Sequence, residues 1–172
     1  KTFAFEHNIP CSQPDRLKDD VTSVQQYGPD VVVVAAYGQI LTRDIIDIPR
    51  LGTINIHASL LPKYRGAAPI QWAIINGERE TGISTFFIEE GLDTGDVLIE
   101  RAITIEDTDT AGSLHDKLAV LGADVLIETL EGISSGTLSA KPQNHQRATY
   151  APKITKEMAR LDWTKSAREL FN

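Results

Sequence analysis

A single cysteine, a single methionine and 6% aromatic residues mark what this 172-residue chain has little of. A lone Cys11 closes no internal disulfide, and no Cys/His spacing has the pattern of a zinc site, which together suit a reducing compartment. No apolar run approaches the ~18 residues of a membrane span and no signal-peptide pattern opens the sequence, so a cytoplasmic location without membrane association is expected. Positive charge is in deficit as well. Seventeen Lys and Arg against 24 Asp and Glu leave a net charge of -7, which argues against wrapping in nucleic acid, because phosphate binding needs a net positive patch. A local basic edge remains compatible with that balance. An initiator methionine is lacking, and Lys1 to Glu6 reads like the middle of a helix, so the natural N-terminus is expected upstream. With 41% apolar content, the chain still has enough for one domain with a buried core.

What is present is an alternation of strand and helix signals. Phe3 to His7 has the character of a last helical turn, stopped by Ile9-Pro10. Asp20 to Gln26 predicts a short helix ending at Tyr27-Gly28-Pro29. Val31 to Ala36 is continuously apolar and β-branched, the pattern of a parallel strand buried on both faces. A turn over Tyr37 to Leu41, a helical stretch over Thr42 to Ile48 and a strand over Gly52 to His57 complete a βαβ rhythm. Parallel strands here would end on the same sheet edge, where open α/β sheets bind ligands. Pro69 opens a helix to Asn76 with Ile70, Ala73 and Ile74 inward.

Beyond it, Gly82 to Ile88 and Val97 to Ile105 read as antiparallel neighbours joined by the Glu89 to Asp96 loop, with Val97, Ile99, Ile103 and Ile105 on one face. The longest helix follows, capped by Asp109 or Thr110, with a core stripe of Leu114, Leu118, Leu121 and Val125 and a stop at Gly132. Past Ser134 the chain loosens, with short strands predicted near Gly136 to Leu138 and Ala148 to Tyr150. Ala151 to Glu157 carries a positive cluster that reads as a solvated linker or as a nucleic-acid-facing edge. Thr164 to Asn172 is amphipathic. The expected fold class is α/β, a mostly parallel sheet with an antiparallel strand pair, flanked by helices.

Three polar residues stand out between Gly52 and Gly95. Thr53-Ile54-Asn55-Ile56-His57 alternates, so a strand puts Asn55 and His57 on one face with Ile54 and Ile56 behind. Asp93 lies in Gly91-Leu92-Asp93-Thr94-Gly95, where flanking glycines let a loop bring a carboxylate close to another segment. An amide, an imidazole and a carboxylate suit acid–base chemistry at a carbonyl. The competing readings are local hydrogen bonding at a strand end and a metal site of His57, His115 and Asp93.

The run from Asn55 to Ile74, with Ser59-Leu60-Leu61-Pro62-Lys63-Tyr64-Arg65-Gly66 at its centre, and the later Glu90-Gly91-Leu92-Asp93-Thr94-Gly95-Asp96 closely resemble the formyltransferase family that uses 10-formyltetrahydrofolate. The resemblance implies a Rossmann-like formyltransferase domain over residues 1–157, without its N-terminal portion, and a linker to a further C-terminal domain beginning at 158–172. It implies Asn55, His57 and Asp93 as catalytic residues: Asn55 donates to the formyl oxygen, His57 stabilises the developing charge and helps protonate the leaving nitrogen, and Asp93 orders a water and supports protonation of His57. Ser59, Leu60, Leu61 and Pro62 resemble the folate-contacting loop, the pterin is expected between the Val34 to Leu41 turn and the Ile88 to Asp93 loop, and no metal is needed. Lys63, Tyr64 and Arg65 are expected to face the acceptor.

The Arg65 to Gln71 run and the tail from Thr149 to Glu157, with Asp162-Trp163 after it, favour members acting on initiator methionyl-tRNA over those acting on a ribonucleotide or aminosugar. The tRNA would be held mostly by segments outside this sequence, and the protein would act as a monomer. A small amine acceptor, or folate binding without turnover, are the alternatives.

Overall fold

The computed structural model describes residues 1–172. Two short helices, α1 (Thr2–Glu6) and α2 (Thr22–Gln25), precede strand β1 (Val32–Ala35). Helix α3 (Arg43–Ile46), strand β2 (Thr53–His57) and helix α4 (Pro69–Ile75) follow, then β3 (Glu80–Phe87), β4 (Val97–Thr104), the long helix α5 (Ala111–Ser135) and a terminal α6 (Ala167–Phe171). The strands form one sheet in the order β1-β2-β3-β4. β1 and β2 are parallel, and β3 is antiparallel to both β2 and β4. β1, β2 and β4 therefore point the same way, and β3 alone opposes them.

The core forms where α5 and α4 cover one face of this sheet. Thr110 caps α5, its hydroxyl accepting from the Ser113 amide at 3.2 Å. The helix then turns Leu114, Leu118 and Val125 inward onto Ile83, Ile105 and Ala73, with Ile56, Ile99, Ile103 and Leu121 around them. These side chains repeat at helical spacing on one element and at every second residue on the strands, which is why both surfaces meet apolar side to apolar side. On the opposite face Leu61, Phe86 and Val97 form a smaller cluster.

Several sequence expectations change here. Val97 does not join Ile99, because a bulge between Thr85 and Phe86 makes Phe86 oppose Val97 instead of Leu98 and turns Val97 to the other face. β1 is not buried on both faces: Val33 is 38% exposed and Ala35 is exposed. It ends the sheet, and α5 lies over β3 and β4 rather than over it. Helix α5 runs past Gly132 to Ser135 and stops at Gly136, whose φ of 68° is left-handed. Gly132 serves packing instead, since a Cβ there would run into the Leu138 side chain. The strand expected near 136–138 does not form, Gly136 being the C-cap of α5, with a single bridge following at Lys141 with Val97; the one near 148–150 reduces to the bridge of Tyr150 with Arg65.

On β4, Glu100 lies opposite Ser84, whose hydroxyl is 3.5 Å from Glu100 Oε1. Burial pushes the Glu100 carboxyl above its ordinary value, against the opposing pull of Ser84 and Lys141. The folded state thus holds this proton more tightly than the unfolded chain, so the stability linked to it is complete below the unfolded value of 4.5 and declines as pH rises above it. Glu100→Gln is expected to raise the melting temperature by about 1–2 °C at pH 7, a small gain because the side chain is partly solvated. Thermal unfolding at pH 7 and pH 4 checks this: the gain should vanish at the lower pH.

Candidate active site

β2 carries Asn55 and His57 on the face away from α5, each paired across the strand with a residue of β3, Phe86 and Ser84. The Phe86 ring stands edge-on to the His57 imidazole with centroids 6.4 Å apart. His57 is 6% exposed. Its Nε2 lies 2.8 Å from the Tyr64 carbonyl oxygen. A carbonyl only accepts, so Nε2 carries the proton of the neutral ring and Nδ1 is left free. Nδ1 faces Asp93 Oδ2 at 3.8 Å, beyond a direct hydrogen bond but within ion-pair reach should the ring become protonated. Asn55 is half-buried, and none of the fold's side-chain hydrogen bonds engages its amide.

Asp93 is held by backbone. Its φ of 52° is left-handed, a conformation Asp adopts more readily than most residues, and its Oδ2 accepts from the Gly66 amide at 2.7 Å. Gly66 has a φ of 116° and passes so near the tail that a Cβ would sit 2.9 Å from the Ala151 carbonyl oxygen. Only glycine satisfies both conditions without strain. The two sequence segments 27 residues apart therefore meet through one hydrogen bond. His115 is not part of this site: it lies exposed on α5, 3.1 Å from Asp116.

The loop after β2 is built from inside. The Ser59 hydroxyl donates to the Lys63 carbonyl at 2.6 Å, and the Ser84 hydroxyl donates to the Ser59 carbonyl at 2.7 Å while accepting from the Leu61 amide at 3.0 Å. Ser59 and Leu61 are consequently buried, whereas Leu60 and Pro62 keep partial exposure. Of the three residues expected to face an acceptor, only Lys63 is exposed. Tyr64 turns inward, donating to Glu78 at 2.7 Å and accepting from Asn76 at 3.0 Å, and burial pushes its phenol above the ordinary value. Arg65 is 2% exposed and ends on Gln143 and His145. Tyr64 departs from the expectation because its hydroxyl is held by Asn76 and Glu78 after α4, and Arg65 because the tail returns over this loop. The Arg65 amide donates to Thr149 O, the Ala151 amide to Arg65 O and the Ala67 amide to Ala151 O, at 2.7–2.9 Å.

Next to the loop that carries Asp93 opens a cleft of about 670 Å³, with Ile88, Glu89 and Gly91 on one wall and Arg43, Ile46 and Thr53 on the other. None of Asn55, His57, Asp93 or the Ser59 to Pro62 loop lines it, and the wall facing Ile88 to Gly91 is helix α3 and the start of β2.

Residues 2–130 match the family described as Formyl transferase. The chain belongs to that family. A methionyl-tRNA formyltransferase of Acetivibrio thermocellus is 52% identical over the whole of this chain, which spans 56% of that relative's length. Among solved structures, WlaRD, a sugar 3N-formyl transferase crystallised in the presence of dTDP and 5-N-formyl-THF, superposes with a TM-score of 0.79 over 99% of this chain and 59% of its own, at 21% identity. The formyltransferase PseJ from Anoxybacillus kamchatkensis, in complex with UDP-4,6-dideoxy-4-formamido-L-AltNAc and tetrahydrofolate, matches 72% of this chain and 64% of its own at 27% identity and a TM-score of 0.64. The shared architecture agrees with the α/β, Rossmann-like class expected from the sequence. No helix of the chain is long and apolar enough to cross a membrane.

Proposed function

We propose that the protein transfers a formyl group from 10-formyltetrahydrofolate to the α-amino group of initiator methionyl-tRNA. The observation that carries this reading is the convergence of His57 Nδ1 and Asp93 Oδ2, with Asn55 on the same strand face, in a chain about half identical to a methionyl-tRNA formyltransferase. Attack of the amine on the formyl carbon creates a tetrahedral oxyanion and leaves protons to move between two nitrogens. The Asn55 amide, free of protein partners, donates to the formyl oxygen. With Nε2 held by Tyr64 O, only Nδ1 of His57 exchanges protons with the reacting groups. Asp93, whose Oδ2 lies 3.8 Å from Nδ1, sets its carboxylate against the ring and orders the water between substrate and imidazole.

The folate co-substrate would enter beside the loop from Ile88 to Asp93, its pterin reaching the cleft, with the exposed surfaces of Leu60 and Pro62 as contacts and Ser59 and Leu61 as the packed support beneath them. No step here calls for a metal. Lys153 and Lys156 offer exposed positive charge to the phosphates of the acceptor strand, while Lys63 lies 3.4 Å from Glu78 Oε1. Residues 1–157 act as the catalytic domain and 158–172 begin the linker to a further domain that shares in holding the tRNA. The protein works as a cytoplasmic monomer.

An acceptor competition assay on the full-length protein tests the assignment. With 10-formyltetrahydrofolate, formyl transfer to methionyl-tRNA is expected, with an aminosugar nucleotide or an amino ribonucleotide failing to compete. Formylation of a small amine alone would overturn the acceptor, and folate binding without transfer to any amine would overturn the activity.

A further inference from the structure

Gln143 lies outside the stretch that matches the family, in the tail beyond α5, yet it reaches the centre of the site. Its side chain is 7% exposed. Oε1 accepts from Arg65 Nε at 3.1 Å and from Arg65 Nη2 at 2.6 Å, while Nε2 donates to the Asp93 carbonyl at 2.9 Å and the Gly95 carbonyl at 2.7 Å. The guanidinium only donates and the two carbonyls only accept, so the amide has one possible orientation. All four bonds are then satisfied at once.

Arg65 is unusual in the same cluster. It is 2% exposed, and its side-chain hydrogen bonds end on neutral atoms, Gln143 Oε1 and His145 Nδ1 at 3.1 Å. A buried cation is normally matched by a carboxylate, because losing water is expensive without one. Only a carboxamide offers an acceptor to Arg65 and donors to the loop carbonyls together. A carboxylate at 143 would neutralise the charge but have nothing to give to Asp93 O and Gly95 O.

We propose that Gln143 is a positioning residue: anchored by Arg65, it holds the backbone of the Asp93 loop so that the Asp93 carboxylate meets the Gly66 amide and His57 Nδ1. Arg65 is itself tied through its own backbone to Thr149 and Ala151, and Gly66, which follows it, donates to Asp93. The loop from Lys63 to Gly66, the Asp93 loop and the tail therefore share one junction. A shift there of about 1 Å would misplace Asp93, an error able to lower turnover by roughly 10²-fold without touching substrate.

Gln143→Glu and Gln143→Ala in the full-length protein separate positioning from charge balance. The glutamate keeps and strengthens the Arg65 contact but releases the two carbonyls. Both variants are expected to lower kcat by about 10- to 100-fold with little change in KM for the folate, and Gln143→Glu is expected to retain the wild-type melting temperature. This kinetic arm rests on the proposed formyl transfer. A second arm does not: the pH titration of His57, followed by imidazole NMR without substrate, should change in Gln143→Glu in the same direction as in Asp93→Asn. His145→Ala, which leaves every Gln143 bond in place, should leave that titration unaltered. A Gln143→Glu protein with a wild-type His57 titration overturns the proposal, whatever reaction the enzyme performs. Absence of formyl transfer in the wild-type protein, with the titration altered in Gln143→Glu, overturns the assigned reaction and leaves the positioning role standing.

Discussion

Asp93→Asn in the full-length protein is expected to reduce formyl transfer by about 10²- to 10⁴-fold, the scale of a lost acid–base function, with the melting temperature nearly unchanged. Asparagine tolerates the left-handed backbone that Asp93 adopts at φ 52°, and its carbonyl oxygen can still accept from the Gly66 amide. What it cannot do is supply negative charge to His57. The oxygen that accepts from Gly66, Oδ2, is also the one that faces Nδ1 at 3.8 Å, so asparagine placed this way keeps the geometry but sets a neutral carbonyl oxygen against the imidazole where the carboxylate set a charge. The substitution therefore takes away the charge that pairs with the imidazole while it passes a proton to the leaving nitrogen. Single-turnover transfer rates with both substrates saturating measure the effect. A rate near wild type would mean that Asp93 serves only to tie the loop to Gly66, and the catalytic assignment would fall.

Asn55→Ala is expected to lower kcat by about 10²- to 10³-fold, as loss of one oxyanion donor does. The reasoning is one of differential binding. The amide has no protein partner to satisfy in the resting fold, so removing it leaves no orphaned group and little structural penalty, while the charge that develops on the formyl oxygen loses its donor. KM for the folate should change by no more than a few fold. Asn55→Asp should be worse than alanine, since a carboxylate would face the developing oxyanion. A kcat within threefold of wild type for Asn55→Ala would remove this residue from the mechanism.

Much of the framework is visible in local pattern. The alternation of Thr53 to His57 places Asn55 and His57 together because successive residues of a strand face opposite ways, and the Leu114 to Val125 stripe places α5 on the sheet because helical spacing gathers those residues on one side. Errors arose where a distant segment intervened. The bulge that moves Val97 to the other face depends on how β3 and β4 pair. Gly132 serves contact with Leu138, not termination of the helix, and the exposure of Val33 follows from the position of β1 at the end of the sheet. Tyr64 and Arg65, polar in type and set in a glycine-bearing loop, read as surface groups, yet Tyr64 is held by Asn76 and Glu78 and Arg65 by the tail. Gln143 carries no signal of its own, since a glutamine between Pro142 and Asn144 resembles any loop residue; its partners lie 48, 50 and 78 residues away.

The sequence by itself determined the chemical groups of the site and the strand and loops that bear them, because residue identity and short-range periodicity are local properties. The tertiary structure alone decided that Nε2 of His57 is committed to Tyr64, that Nδ1 faces Asp93 across 3.8 Å, and that the tail closes the site through Arg65 and Gln143. Each of these is a hydrogen bond or charge pair between segments far apart in the chain, and its geometry exists only once the sheet, the loops and the tail have packed against one another.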